Sequence, residues 1–347
     1  MTIYEVALLH RGPIHSFWLA IPGLKSCPEI DRLILFLSRK GIQDFMLSLS
    51  SAEYHKLPSY IYSCLHLRRL VLGSCIFKPP SGFKGFRILV DLRFKQVQFT
   101  LEFKSFISNC PLLERLVLVL CTGISCLEIN APNLEFLHYH GIFISMHFEN
   151  VPRLATVMLY ENPNGYPRFV SVTNFLTSLP AMEELMVNSN FLKDESKRLP
   201  SPLNHLKVLK VAELCFAVAK EVSSVLALLR SSPNMRKLTI QGFPCNEANL
   251  NSYQGIELLE AEKQSKFCLN QLQKVVLLNF YGSRSELEFV KFLLAKLCTL
   301  KEMYIQFPTV LSAQNQMKTS EEVVRFPRAS AKAEIIFEDR IQWQTRI

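Results

Sequence analysis

The sequence predicts an α/β solenoid, in which short strands of one parallel sheet alternate with helical or irregular segments. A six-residue pattern, L-x-x-L-x-L with apolar substitutes for leucine, recurs along most of the 347-residue chain. Apolar segments with helical spacing precede several copies of this pattern. One such strand cannot bury its apolar side alone, whereas stacked neighbours can, so the repetition predicts a solenoid. A membrane-spanning helix is not expected, because it needs about 20 consecutive apolar residues.

Eleven copies of the pattern can be placed, and their spacing indicates the class of repeat. The fourth positions of the copies are Phe45, Leu70, Leu92, Leu116, Leu137, Val157, Leu185, Leu209, Leu238, Val275 and Met303. Most intervals fall in the range of about 20–29 residues that is typical of leucine-rich repeats. We therefore expect a leucine-rich-repeat solenoid with its parallel sheet on the concave face and helical or irregular segments on the convex face.

Alternation of side chains along a strand predicts which residues face outward. In the copy at residues 113–118, Leu116 and Leu118 point into the core, so Val117 and Val119 point to the outer face of the sheet. The fifth positions form a predicted partner-binding row of Met46, Val71, Val117, His138, Met158, Met186, Lys210, Thr239, Val276 and Tyr304. The row contains few charges, and an exposed apolar stripe usually marks a partner site. The alternative is that another element covers part of the row and makes those residues core.

Helical segments on the convex side are expected just before several of the strands. Four segments carry apolar residues at helical spacing followed by a helix stop, at residues 102–111, 171–180, 221–233 and 286–298. The first of these helices is expected to run through Cys110 to a break at Pro111. Ser285 and Glu288 match the spacing of a capping box, which predicts where the last helix begins.

The interval between repeats predicts the domain organisation. The longest interval contains "NEANLNSYQGIELLEAEKQSK", a polar, glutamate-rich insertion. We expect residues 1–245 to form the repeat region, 246–266 a polar loop or linker, and 267–347 a separate C-terminal region that continues or caps the solenoid. Within that region "AEIIFEDR" reads as a closing strand, since terminal repeats need caps.

Charge and cysteine content exclude some classes of protein. The net charge of +9 is spread along the chain without a basic stripe, which argues for solvated surface rather than a nucleic-acid interface. The ten cysteines form no C-x-x-C pair and no signal peptide precedes them, which indicates a reducing compartment inside the cell, cytoplasmic or nuclear. We expect these thiols to pack as small apolar groups.

Enzymatic and metal-binding patterns are absent from the sequence. No nucleophile elbow, phosphate-binding loop, dinucleotide fingerprint or H-E-x-x-H occurs, so no catalytic residue and no cofactor is predicted. His138 and His140 share a strand face and His147 follows, but no acidic or cysteine partner has suitable spacing. The two histidines are expected to be exposed strand positions, and Cys121 and Cys126 to be core or loop thiols.

Several segments in a fixed order resemble one family. They are "LLHRGPIHSFWLAIPGLKSCPEIDRLILFLSRKGIQDFML", "LPSYIYSCLHLRRLVLGSCIFKPPSGFKGFRILVDLRF" and "FISNCPLLERLVL". They look like the plant F-box/FBD/leucine-rich-repeat proteins. The stretch "CLNQLQKVVLLNFYGSRSELEFVKFLLAKLCTLKEMYI" with "FPRASAKAEIIF" is similar to the FBD module that closes those chains, so the resemblance covers nearly the whole chain.

The resemblance implies a substrate-recognition subunit of an SCF-type ubiquitin ligase, in which an F-box docks on a Skp-type adaptor and the repeats hold the target. Neither an "LPDDIL"-like nor a "SKRW"-like phrase precedes "LLHRGPI", so the chain is expected to lack that F-box. Two functions stay open: a target receptor of a ligase, which needs an F-box upstream to reach the adaptor, or a scaffold that binds a protein without recruiting a ligase.

Overall fold

The computed structural model describes residues 5, 7, 9–22, 28–50, 54–100, 103–124, 126–142, 145–162, 175–176, 178–192, 201–244, 253–263 and 269–338. The chain divides into two compact units. Unit 1 comprises Met1–Thr156 with Asn164–Val170, and unit 2 comprises Val157–Pro163 with Ser171–Ile347. Of the helices that the structure describes, none combines the length and the apolar character needed to cross a bilayer.

Unit 1 is built on a parallel sheet whose strands stack in the order β1-β2-β4-β6-β8-β10. Two small parallel sheets accompany it, one of β3, β5 and β7 and one of β9 and β11. The strands are β1 (Ser16–Pro22), β2 (Asp44–Ser50), β3 (His55–Lys56), β4 (Arg69–Gly73), β5 (Cys75–Phe77), β6 (Asp91–Lys95), β7 (Gln98–Phe99), β8 (Arg115–Val119), β9 (Leu127–Asn130), β10 (Phe136–Gly141) and β11 (Met146–Glu149). The connections contain α1 (Pro28–Ser38), a 3₁₀ helix (Ser59–Ser63) and α2 (Phe103–Ser108).

Unit 2 repeats the plan, with helices of 11 to 13 residues in four of its connections. Its parallel strands stack in chain order: β12 (Thr156–Glu161), β13 (Glu184–Asn188), β14 (Val208–Leu214), β15 (Lys237–Gly242), β16 (Lys274–Leu278), β17 (Glu302–Ile305) and β18 (Glu334–Phe337). The connections contain α3 (Ser189–Leu192), α4 (Ala219–Ser231), α5 (Tyr253–Lys263), α6 (Arg284–Lys296) and α7 (Ala313–Val324). The predicted α/β leucine-rich-repeat architecture is therefore confirmed in each unit.

The apolar positions of the repeat form the core, as predicted. Leu113, Leu116 and Leu118 are completely buried, and the corresponding positions of the other copies are buried as well. In unit 1 aromatic rings fill the space behind the sheet, where the Phe77 ring lies 4.9 Å from that of Phe106, centroid to centroid. Burial of such side chains supplies most of the stability of each layer, because each removes an area of apolar surface from water.

A left-handed residue follows several strands at the same place in the repeat, four positions after the fourth apolar position. These residues are Ser74, Gln96 and Leu120 in unit 1, and Glu213 and Asn279 in unit 2, with φ between 51° and 58°. Glu213 differs from the others because it lies inside β14, where the pairing with β15 shifts register. The conformation turns the chain out of the sheet while its amide still bonds to the next strand. The amide of Leu120, for example, donates to the carbonyl of His140 at 2.7 Å. Side chains other than glycine and asparagine adopt this conformation at a cost.

Two helix predictions require correction at their ends. The capping box opens α6 from Ser283, whose hydroxyl accepts from the amide of Glu286 while that carboxylate accepts from the amide of Ser283. The predicted pair Ser285 and Glu288 has the same spacing, but Ser285 lies inside the first turn. Helix α2 ends at Ser108 rather than at Cys110, which the chain reaches through a turn. The remaining helices follow the prediction, except that residues 171–180 are only partly described.

The predicted polar loop at residues 246–266 contains helix α5, so the prediction of a loop is wrong there. Ile256 and Leu259 on this helix are buried, which explains why a sequence rich in glutamate still folds against the unit. The predicted closing strand is confirmed as β18, which pairs in parallel with β17. An unpredicted strand, β1, adds one more copy of the strand before the first predicted one. The assignment of residues 267–347 as an FBD-like region stays a prediction.

Most described cysteines are packed thiols, as expected. Burial raises the pKa of Cys64 and of Cys75 to about 12 and that of Cys110 to about 11. These thiols are therefore neutral and inert at physiological pH. The expectation is wrong for Cys215, which is buried and disulfide-bonded. The sequence does not predict this disulfide bond, because the partners of a disulfide are close in the fold and need not be close along the chain.

Candidate functional site

The predicted row follows the register of the sheet in both units. In unit 1, Met46, Val71, Val117 and His138 lie on one line across the sheet, with Arg93 between Val71 and Val117. In unit 2, a continuous line is formed by Met186, Lys210, Thr239, Val276 and Tyr304. Met158 is a central residue of β12. In each unit these residues share one face of the sheet, which we call the outer face of that unit.

Burial divides the row into two groups. The buried members are Val117, His138, Met158, Met186, Thr239 and Val276, each exposed by 6% or less. Met46, Val71, Lys210 and Tyr304 are half-buried and accessible. Val119, two residues beyond Val117, is also half-buried. The buried members fit the alternative that other residues cover part of the row, and the accessible members are the ones that can meet a partner.

His138 is the titratable residue of the buried group. Burial lowers its pKa to about 4, with the neighbouring charge of His140 adding to the effect. The imidazole is therefore neutral at physiological pH. The expectation that His138 is exposed is wrong, whereas His140 is half-buried. Among the described residues, no group of three or more His, Cys, Asp or Glu side chains is placed to hold a metal ion.

Cys121 and Cys126 are half-buried free thiols, which matches their predicted place in the core or a loop. Burial raises the pKa of the Cys121 thiol to about 11, and backbone hydrogen bonds offset part of that effect. A thiol in this state is a poor nucleophile and a poor metal ligand, because both roles require the thiolate.

A second row of outer-face residues lies two positions before the first, at the third position of each repeat. In unit 1 this row contains Asp44, Arg69, Asp91 and Arg115, on adjacent strands in register. Strand alternation places both rows on the same face, so the sequence contained this signal. Arg93 holds the fifth position of its copy and so belongs to the first row, but the prediction left it out. The outer face is therefore much more charged than the first row alone suggests.

In unit 1 the charges gather around one carboxylate. Asp91 accepts from Arg93 through Nε at 2.9 Å and through Nη2 at 3.0 Å. Its Oδ2 also lies 3.2 Å from Nε of Arg69. The Arg115 side chain stacks on the ring of Phe136, with its guanidinium carbon 3.9 Å from the ring centroid. We call Arg69, Asp91, Arg93 and Arg115 the Asp91 cluster.

The Asp91 cluster holds more positive than negative charge. Burial lowers the pKa of Arg115, attraction by Asp91 opposes that shift, and repulsion by Arg93 and Arg69 adds to it. Arginine remains charged in proteins despite such shifts. Three guanidinium groups face one carboxylate, and in the described part of the chain no carboxylate lies within ion-pair distance of Arg115.

In unit 2 the charges form separate pairs instead. Lys210 lies 2.6 Å from Glu184, and Lys274 lies 2.9 Å from Glu302. Lys274 also sits over the Tyr304 ring, 4.0 Å from its centroid. Between these pairs stands Lys237, whose pKa is lowered by burial and by the charges of Lys210 and Lys274. We call Glu184, Lys210, Lys237, Lys274 and Glu302 the lysine group.

The chain is similar to known plant proteins along most of its length. The family model described as "FBD-associated F-box protein At5g56370, LRR repeats" matches residues 30–240. The F-box/FBD/LRR-repeat protein At1g13570 of Arabidopsis thaliana is 34% identical over 351 residues, covering 96% of this chain and 82% of the relative. The F-box/LRR-repeat protein At3g62440 of the same plant is 22% identical, covering 88% of this chain and 76% of the relative.

The family model covers the part of the chain from β2 to β14 and most of β15, and the 34% identical relative covers nearly the whole chain. The residues that the family model matches include the Asp91 cluster of unit 1 and, in unit 2, Glu184, Lys210 and Lys237 of the lysine group. The chain belongs to the plant F-box/FBD/leucine-rich-repeat family.

Proposed function

We propose that this chain binds a protein target through the outer face and serves as the substrate-recognition part of an SCF-type ubiquitin ligase. It acts in this role by binding, without catalysis of its own. Its relatives carry F-box names, which supports a link to a Skp-type adaptor through an F-box. That link requires an F-box joined to the repeats, and the target is a protein of unknown identity.

The observation that carries the proposal is the accessible part of the outer face. In unit 1, Met46 and Val71 offer apolar surface beside the charged Asp91 cluster. In unit 2, Tyr304 offers aromatic surface beside the charges of the lysine group. Interfaces between proteins combine such groups, with methionine, aromatic residues and arginine enriched. A stacked sheet also holds these side chains at fixed positions, which reduces the entropy that is lost when a partner binds.

The proposal is tested by proximity labelling in plant cells treated with a proteasome inhibitor, with the chain fused to a biotin ligase. A target should be labelled by the wild type and lost with Val71→Glu, which replaces apolar surface of the outer face by a carboxylate between Met46 and Arg93. Leu65→Glu is the matched control, because Leu65 is an exposed turn residue before β4 and lies outside the outer face. Equal loss in both variants, or no loss in either, contradicts binding through this face.

A second measurement addresses the ligase. The chain and its 34% identical relative are each expressed with a Skp-type adaptor and captured. Retention of the adaptor by the chain as well as by the relative, together with ubiquitination of the labelled target, supports a receptor, whereas retention by the relative alone contradicts it for the chain as written. Retention of the target without any adaptor, when the chain is expressed from its own complete gene, contradicts the ligase part of the proposal and leaves a binding scaffold.

A further inference from the structure

We propose that the Asp91 cluster of unit 1 recognises a carboxylate-bearing acidic segment of the target protein, with Arg115 as the residue that receives the carboxylate. The inference deepens the proposed function and rests on it. It follows from the charges, the positions and the hydrogen bonds of the cluster.

The cluster is compact because its members occupy neighbouring strands in register. Arg69, Asp91 and Arg115 are aligned on β4, β6 and β8, and Arg93 lies two residues after Asp91 on the same face. Neighbouring strands are about 4.8 Å apart, and alternate residues of a parallel strand are about 6.6 Å apart. All four side chains therefore leave the sheet within an area of roughly 10 by 7 Å, in which one peptide segment can contact them together.

The carboxylate of Asp91 is already shared inside the cluster. Arg93 uses Nε and Nη2 on it, and Arg69 approaches it through Nε. These two guanidiniums are held in place and their forks are partly occupied. Within the described residues Arg115 has no ion pair. Its guanidinium N–H groups are therefore the ones left to donate to an outside anion.

Arg115 is also oriented for this role. Stacking on Phe136 covers one flat side of the guanidinium and leaves its N–H edges directed along the plane. An arginine with a stacked face and a free edge forms two parallel hydrogen bonds to a carboxylate. The apolar side chain of Val71 lies beside the cluster and supplies surface for the aliphatic part of such a segment.

The number of free donors favours a carboxylate over a phosphate group. With three guanidiniums and one carboxylate, the cluster has two uncompensated positive charges, which attract an anion of either kind. Arg93 and Arg69 already contact Asp91, so Arg115 alone has both N–H groups of its guanidinium edge left for an outside anion. One such edge matches the two oxygens of a carboxylate rather than the three terminal oxygens of a phosphate.

The test uses the full chain and a defined probe, a fluorescein-labelled octapeptide of alternating Glu and Ser, with fluorescence anisotropy at low ionic strength. The same peptide with Gln for Glu is the uncharged control. Arg115→Gln should weaken binding of the acidic peptide by about tenfold. Asp91→Asn should strengthen it by about threefold, since it removes the competing carboxylate. Added salt should weaken binding by the wild type.

Arg32→Gln is the matched control, because Arg32 is an exposed arginine on helix α1 and its replacement removes the same charge from the same unit. Unchanged affinity in Arg115→Gln, or an equal loss in Arg32→Gln, overturns the proposal. Equal binding of the Gln peptide does the same. If a phosphoserine peptide binds more than tenfold tighter than the acidic peptide, with the same dependence on Arg115, the ligand of the cluster is a phosphate group and the proposal of a carboxylate is wrong.

Failure of this inference is separable from failure of the proposed function. A labelled target that is lost with Val71→Glu but kept with Arg115→Gln leaves the outer face as the binding site and removes the acidic segment as its ligand. A target that both variants keep contradicts the outer face itself.

Discussion

Units 1 and 2 share one strand-and-turn frame but place different chemistry at equivalent outer-face positions. Unit 1 gathers its charge around Asp91, whereas unit 2 pairs each of two lysines with its own glutamate. The same row holds the buried His138 in unit 1 and the buried Thr239 in unit 2. The frame is therefore independent of the outer face, so the two units can differ in recognition and in response to pH while their cores stay alike.

The largest expected difference between the units appears in acid. The pKa of His138 is about 4 in the fold and 6.5 in the unfolded chain, so the unfolded chain binds a proton that the folded chain does not as the pH falls from 6.5 to 4. His138 therefore costs stability as the pH falls through this window, by about 2.5 kcal/mol between pH 7.5 and pH 4.5.

Urea unfolding of the wild type and of His138→Gln at pH 7.5 and pH 4.5 measures this contribution. The loss of unfolding free energy on acidification should be about 2.5 kcal/mol smaller in the variant. Thr239→Gln in unit 2 is the control, since it replaces the equivalent residue without changing a titratable group. If His138→Gln and Thr239→Gln lose the same amount as the wild type, the assigned role of His138 is wrong.

The second prediction concerns the charges themselves. Asp91→Asn leaves three neighbouring guanidiniums without a carboxylate, and it should lower the unfolding free energy by about 2 kcal/mol. Glu184→Gln in unit 2 breaks one accessible pair, with Lys210, and should cost about 0.5 kcal/mol. Thermal and urea unfolding of both variants at low salt give the comparison. Equal losses would mean that Asp91 is no more shared than Glu184.

The dependence on salt shows how much of the loss of unfolding free energy in Asp91→Asn comes from charge repulsion and how much from lost hydrogen bonds. Repulsion between arginines that remain after Asp91→Asn is screened by ions, so the deficit of that variant should shrink in 0.5 M salt. A deficit that stays constant would show that the lost hydrogen bonds matter more than the charges.

The repeat frame could be predicted from the sequence because it depends on local order. Leu116 and Leu118 are buried in the core, as the alternation of side chains along a strand predicts. The same alternation predicts the charged row, because the third and fifth positions of a repeat share one face. The predicted row contained only the fifth positions. Reading Asp91 and Arg115 with Arg93 would have located the cluster.

Other features depend on contacts that spacing does not contain. Met186 is fully buried on a face that alternation alone predicts as open. Ser283 and Ser285 both stand three residues before a glutamate, so the sequence could not choose between two starts for α6. Helix α5 was hidden by its polar composition, since Ile256 and Leu259 are few among charged neighbours.

The smallest prediction compares the left-handed position that ends a repeat. Leu120 of unit 1 has φ of 51° and Asn279 of unit 2 has φ of 52°, so the same turn is made by a residue that disfavours it and by one that tolerates it. Leu120→Asn should raise the unfolding free energy by about 0.5–1 kcal/mol, because asparagine adopts this conformation at a lower cost. Asn279→Leu should lower it by a similar amount, and urea unfolding measures both. Leu120 is only half-buried, so little packing is lost in the exchange. Opposite signs in the two units show that the turn belongs to the shared frame, whereas a loss in both would mean that the contacts of the Leu120 side chain outweigh its backbone strain.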